Sequence, residues 1–159
     1  MSFLNTLLGD INESAAELAY LEALKQQDYV SAVPLLRSAI AREDATAMTL
    51  YAVLLAFGRG VQPNREDAAD WFRQAAVRGQ PLGQTAFGAC LAAGIGVPQD
   101  EEAAAYWLYR ASCQGYGQAI DMLADLALKS PRIVGPHFNK TQFADLLRKS
   151  HRPVASRVN

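Results

Sequence analysis

Histidine is almost missing, with His137 and His151 the only two in 159 residues, and cysteine is as scarce, with Cys90 and Cys113. So few imidazoles and thiols supply neither the Cys/His spacing of a zinc site nor a Ser/His/Asp or Cys/His set for nucleophilic catalysis. No metal, no cofactor and no enzymatic activity are therefore expected. Long apolar runs are missing too: nothing approaches the roughly 18 residues that a membrane helix needs. Ahead of Phe3, Leu4, Leu7 and Leu8 there is no basic stretch, and Asn5 and Thr6 interrupt them, so no secretory signal is visible and the cytoplasm is the expected compartment. Nor does charge of one sign dominate, since the formal net is −1. It is unevenly spread: residues 129–159 hold seven Lys/Arg against the single acid Asp145, so the first 128 residues carry −7 and the rest +6. A basic tail with Arg148, Lys149, His151, Arg152 and Arg157 is one way to hold nucleic acid or acidic lipid. Without interleaved aromatics for base stacking, it is read instead as a positive end cap on an acidic body, with 151–159 frayed and no nucleic-acid or membrane partner.

What the chain does have is internal repetition. Residues 45–80 recur, shifted by 36, as 81–116: Gly58, Gly60, Val61, Trp71, Ala75 and Gly79 fall on Gly94, Gly96, Val97, Trp107, Ala111 and Gly115. A unit of that length is one supersecondary element that buries its apolar side by stacking on copies of itself. Within each unit the pattern switches at the glycines. A first helix over 46–57 meets the turn Gly58-Arg-Gly-Val-Gln-Pro, and Asn64 then caps a second helix that carries Glu66 and Asp67 in its first turn. Asp100, Glu101 and Glu102 repeat that start, and Gly79 and Gly115 are placed to close the second helices. Cys90 and Cys113 lie near the far ends of antiparallel helices, ~15–20 Å apart, so both thiols are expected to be free.

The run Tyr51-Ala52-x-x-Leu55-x-x-Gly58-x-Gly60-Val61 with Ala68-x-x-Trp71-x-x-x-Ala75-x-x-x-Gly79 resembles the Sel1-like repeat, the tetratricopeptide relative with a longer hairpin turn. The second copy, Phe87-Gly88-x-x-Leu91-x-x-Gly94-x-Gly96-Val97 with Ala104, Trp107, Ala111 and Gly115, fits better because Gly88 stands where that family has its helix-packing glycine. Leu55 and Leu91 replace a usual tyrosine. The resemblance implies an all-α fold, a right-handed solenoid of antiparallel helix hairpins with a C-terminal helical cap. We divide the chain into a lead-in (1–12), a tetratricopeptide-like hairpin (13–44), two Sel1-like repeats (45–80 and 81–116), and a degenerate repeat with a cap helix (117–150). In the hairpin, Pro34 is tolerated if Ser31 or a residue just before it caps the second helix; deeper in, it costs ~3 kcal/mol. The cap helix is expected over 141–149, with Phe143, Leu146 and Leu147 on its inner side.

Each chemical reading of these motifs has a simpler structural one. The glycine pairs share the look of a phosphate loop, yet they follow a helix and lack its Gly-Lys-Ser/Thr ending, so they are turns. Trp71 and Trp107 sit where helix two meets helix one and are assigned to the core rather than to a ligand platform. Capping and the helix dipole account for the acid clusters 66–70 and 100–102. The first helices remain, and the resemblance makes them the lining of a concave face. Its recognition positions are Thr46, Thr49, Val53, Ala56 and Phe57, then Leu82, Thr85, Ala89, Ala92 and Ala93, then Gln118, Asp121 and Asp125, taken as groove rather than core positions. An exposed apolar concavity is normally covered by something. The chain's own N-terminal stripe or C-terminal extension is one candidate, and a segment of another protein is the favoured one. The expected function is a non-catalytic protein-interaction module, an adaptor or scaffold. An immunity- or chaperone-type protein that sequesters a toxic or secreted effector is the alternative, and a hydrolase would require a polar cleft that the residues do not offer.

Overall fold

The computed structural model describes residues 19–133 and 140–149, and these contain eight α-helices, a 3₁₀ turn and no strand. The helices are α1 (Ala19–Lys25), α2 (Tyr29–Ile40), α3 (Ala45–Phe57), α4 (Arg65–Val77), α5 (Pro81–Ala93), α6 (Glu101–Cys113), α7 (Gly117–Lys129) and α8 (Lys140–Lys149); the 3₁₀ turn is Pro131–Ile133. Each packs on its sequence neighbour, and the result is an all-α repeat solenoid. Consecutive first helices also touch, α3 on α5 and α5 on α7, which puts them on the inside of the curve.

Composition explains the two layers. Every residue of α3 from Ala47 to Leu55 is buried, because this helix is apolar all round and is enclosed by neighbours on several sides. By contrast α4 and α6 bury one stripe, Ala68, Ala69, Phe72, Ala75 and Ala76 in α4 and Ala104, Ala105, Leu108 and Ala111 in α6, and turn their charges outward. Alanines on these stripes let the helices approach closely. Gly88 extends that logic, since a Cβ there would lie 2.9 Å from Leu108 Cγ.

Helix ends follow the expected chemistry. Asn64 Oδ1 accepts from the N–H groups of Glu66 and Asp67, each at 3.1 Å, and Asp100 Oδ1 accepts from Ala103 at 2.9 Å. Beyond α4 and α6 the chain turns through Gly79 (φ +85°) and Gly115 (φ +79°), where paired bonds such as Gly79 N–H to Ala76 O and Gln80 N–H to Ala75 O occupy the last carbonyls. In the preceding hairpin Glu43 (φ +62°) takes the matching left-handed position after α2, and Gln27 (φ +60°) takes a left-handed position after α1.

The second glycine of each long turn is the joint between units. A Cβ on Gly60 (φ +70°) would lie 2.6 Å from the carbonyl oxygen of Tyr29, the first residue of α2. Gly96 (φ +71°) meets Arg65, the first residue of α4, in the same way: a Cβ would lie 2.6 Å from its carbonyl carbon and closer still to the oxygen. Each turn therefore seats its main chain directly on the start of the preceding unit's second helix.

Three expectations need correction. Ser31 does not cap α2. Asp28 does, accepting the Ser31 N–H at 3.1 Å, so Pro34 is the sixth helical residue and removes one helical N–H donor from the second turn. Trp71 and Trp107 are only half-buried, with edge-on contacts to Tyr51 and Phe87 at centroid distances of 6.0 and 5.8 Å. Their neighbours Phe72 and Leu108 are the buried side chains. The last helix starts at Lys140. Its expected capping side chains Phe143, Leu146 and Leu147, along with Phe3, Leu4, Leu7, Leu8, His137, His151, Arg152 and Arg157, lie outside what the structure describes. Between α7 and α8, Arg132 closes the array with a 2.8 Å ion pair to Glu101 at the head of α6. Hydrogen bonds from Ser130 and then Arg132 hold that carboxyl below its ordinary range.

Candidate partner-binding groove

Along the first helices a cleft of about 560 Å³ opens, within the size range of natural ligand sites. One wall is the α3 row Thr49, Val53, Ala56 and Phe57, successive turns of a single helix face. The other is the α5 row Leu82, Ala86, Ala89 and Ala93, continued by Met122 of α7. Phe72 of α4 and Cys90 of α5 close it from below, and Ile95 of the second long turn stands at the edge. The cleft is wide because alanine stands at so many places along α5 where a larger side chain would fill it.

Of the positions taken as partner-binding, Thr49, Val53, Phe57, Leu82 and Ala89 line the cleft, whereas Thr46, Thr85, Gln118, Asp121 and Asp125 do not. Their treatment as positions outside the core is corrected for Thr49, Val53, Leu82 and Thr85, all of which are buried. Both threonine hydroxyls bond back to their own helix, Thr49 to Ala45 O at 3.0 Å and Thr85 to Pro81 O at 2.8 Å, which lets them sit inside without an unmet donor. Surface is offered by Phe57, 57% exposed, and Ile95, 44% exposed, with Ala86 and Ala89 half-buried between them.

Residue spacing did not point to Arg65, Phe72, Ala86, Cys90, Ile95 or Met122. Ala86 and Cys90 had a usable signal, being one helical turn from Leu82 and Ala86 respectively. The α4 residues had none, because their helix belongs to the outer layer. Burial pushes the Cys90 thiol up to about 11, which keeps it protonated against the apolar wall. Cys113 is exposed at the end of α6, and both cysteines are free. At the rim, the Arg59 guanidinium lies 6.0 Å from the Phe57 ring centroid and donates to Tyr29 Oη at 2.8 Å. Among the described residues no group of His, Cys, Asp and Glu side chains is arranged to hold a metal ion. No described helix is long and apolar enough to cross a membrane.

Paired glycines, one at the end of each first helix and one on the preceding unit, are the decisive geometry, and the Sel1 repeat family model matches both units, residues 45–79 and 81–116. The chain contains two Sel1 repeats. Solved structures with the same build include a Sel1 repeat protein from Oxalobacter formigenes, 24% identical with a TM-score of 0.73 over 84% of this chain and 54% of that one. Another is a protective antigen of uropathogenic Escherichia coli displaying an SLR fold, 27% identical with a TM-score of 0.70 over 82% of this chain and 29% of that one. The chain spans about half the length of the first and under a third of the second. No curated protein matches it significantly. Sel1 repeats generally form protein-protein interaction modules.

Proposed function

We propose that this chain is a non-catalytic adaptor or scaffold of the cytoplasm, a single repeat domain that binds a segment of another protein along its first helices. The observation that carries this reading is the open apolar cleft itself, walled by two repeats and edged by the exposed Phe57 and Ile95. A segment laid there contacts Phe57, Ala86, Ala89 and Ile95, the accessible residues of the cleft, with Phe57 as the aromatic anchor. Replacing Ala89 by Arg blocks the groove by bulk and charge and leaves helix content unchanged. Phe57→Ala weakens binding by ~1–3 kcal/mol, as loss of an aromatic anchor does. The test is affinity capture from the native organism with wild type and both variants, each confirmed folded by circular dichroism. Equal recovery of the same partners by wild type and Ala89→Arg rejects the groove as the binding surface. The captured partner also separates an adaptor from an immunity- or chaperone-type protein.

A further inference from the structure

Among the described residues Arg65 is the only charged one that lines the cleft, and it stands where helix chemistry disfavours it. It is the first residue of α4, at the positive end of the helix dipole, where an acid is stabilising and a cation is opposed. The matching residue of the next repeat, 36 positions on, obeys the rule: it is Glu101, ion-paired with Arg132. Among the described residues the Arg65 guanidinium makes no ion pair and no side-chain hydrogen bond, although Glu66 and Asp67 follow it in the chain. Its main chain is held firmly, because the Gly96 turn rests on its carbonyl. The result is an exposed arginine, without an ion pair among the described residues, on the lining of an otherwise apolar groove. Departures from local rules without a structural return are characteristic of functional positions.

We infer that Arg65 makes the groove selective for a protein segment that carries an aspartate or glutamate beside its apolar anchors. The planar guanidinium takes such a carboxylate through two parallel hydrogen bonds, and the apolar side chains of the segment fill the cleft between α3 and α5. This rests on the groove reading above, and the experiment separates the two.

A phage-displayed library of random peptides is selected on the full chain as wild type, Arg65→Glu and Ala89→Arg. Wild type is expected to enrich peptides with clustered apolar residues and an adjacent acid. Arg65→Glu exchanges that acid for lysine or arginine, and Ala89→Arg enriches nothing. For one enriched peptide and its Glu→Gln or Asp→Asn version, fluorescence anisotropy should show a ten- to hundredfold loss, roughly what a charged hydrogen bond supplies, on wild type and none on Arg65→Glu. Arg65→Glu should also melt no lower than wild type, since an acid suits that helix position, which a merely structural role for Arg65 would not give. The inference is overturned if Arg65→Glu selects the same acidic peptides, if enriched peptides carry no acid, or if nothing is enriched and dodecanoate binds instead, which would make the occupant a lipid. If Ala89→Arg binds the wild-type peptides unchanged, the groove reading itself fails.

Discussion

Replacing Gly96 by alanine tests the joint that holds one repeat on the next. Two costs are involved. A non-glycine residue at φ +71° loses ~1–2 kcal/mol to the clash of its own Cβ with the backbone. The added carbon also falls within 2.6 Å of the Arg65 carbonyl carbon, and main chain at the start of a helix cannot swing aside as a side chain can. The turn must lift, loosening α5 and α6 from α4, and forced overpacking of this kind costs ~1–3 kcal/mol. The expected total is about 2–5 kcal/mol, a large part of the ~5–15 kcal/mol that stabilises a typical domain. Gly79→Ala is the internal control. It has the same sign of φ, +85°, but a Cβ there meets nothing within 4 Å, so only the conformational cost of ~1–2 kcal/mol applies. Urea unfolding followed by far-ultraviolet circular dichroism reads both, the midpoint reporting stability and the slope the surface exposed. Because solenoid stability is a sum over units and their interfaces, Gly96→Ala should also broaden the transition, as weakened coupling lets the two sides unfold separately. Equal losses for the two variants, with equally sharp transitions, would refute the reasoning.

Trp107→Ala should cost ~2–3 kcal/mol, below the ~3–5 typical of large aromatics in a core, because the ring is half-exposed and its losses are the edge contacts to Phe87 and Tyr106 and the Arg110 guanidinium 5.6 Å above it; thermal melts followed by circular dichroism measure this. With thiol reagents at neutral pH, Cys113 should react promptly and Cys90 only after unfolding. Since the folded state holds the Cys90 proton to about pH 11 and the unfolded thiol releases it near 9, the native state binds more protons in that interval. The stability it contributes is complete below about pH 9 and is lost as pH rises toward 11, and Cys90→Ala should flatten that decline in melts taken from pH 8 to 11.

How far the fold could be read from the chain depends on where each signal resides. Caps are local chemistry, so Asn64 and Asp100 declared themselves, and the 36-residue period placed every helix pair from α3 to α6. Asp28 was equally available as a cap, three residues before Ser31, because aspartate caps a helix as well as serine does. Trp71 lies on the expected helix, yet periodicity assigns a face and not a depth, so the exchange of burial between Trp71 and Phe72 was invisible. The same limit applies to the groove. One helix period arranges Thr49, Val53 and Phe57 in a row, but only packing shows that the start of an outer helix delivers Arg65 to the rim of an inner groove.

The seat of Gly96 on Arg65 gives that arginine two mechanical roles at once. Its carbonyl is the seat of the second repeat's long turn, and the residue also lines the groove. Were a ligand to draw on the guanidinium, it would pull on the same residue whose carbonyl carries the next repeat, so the grip on a partner and the seating of one unit on another would share a single residue.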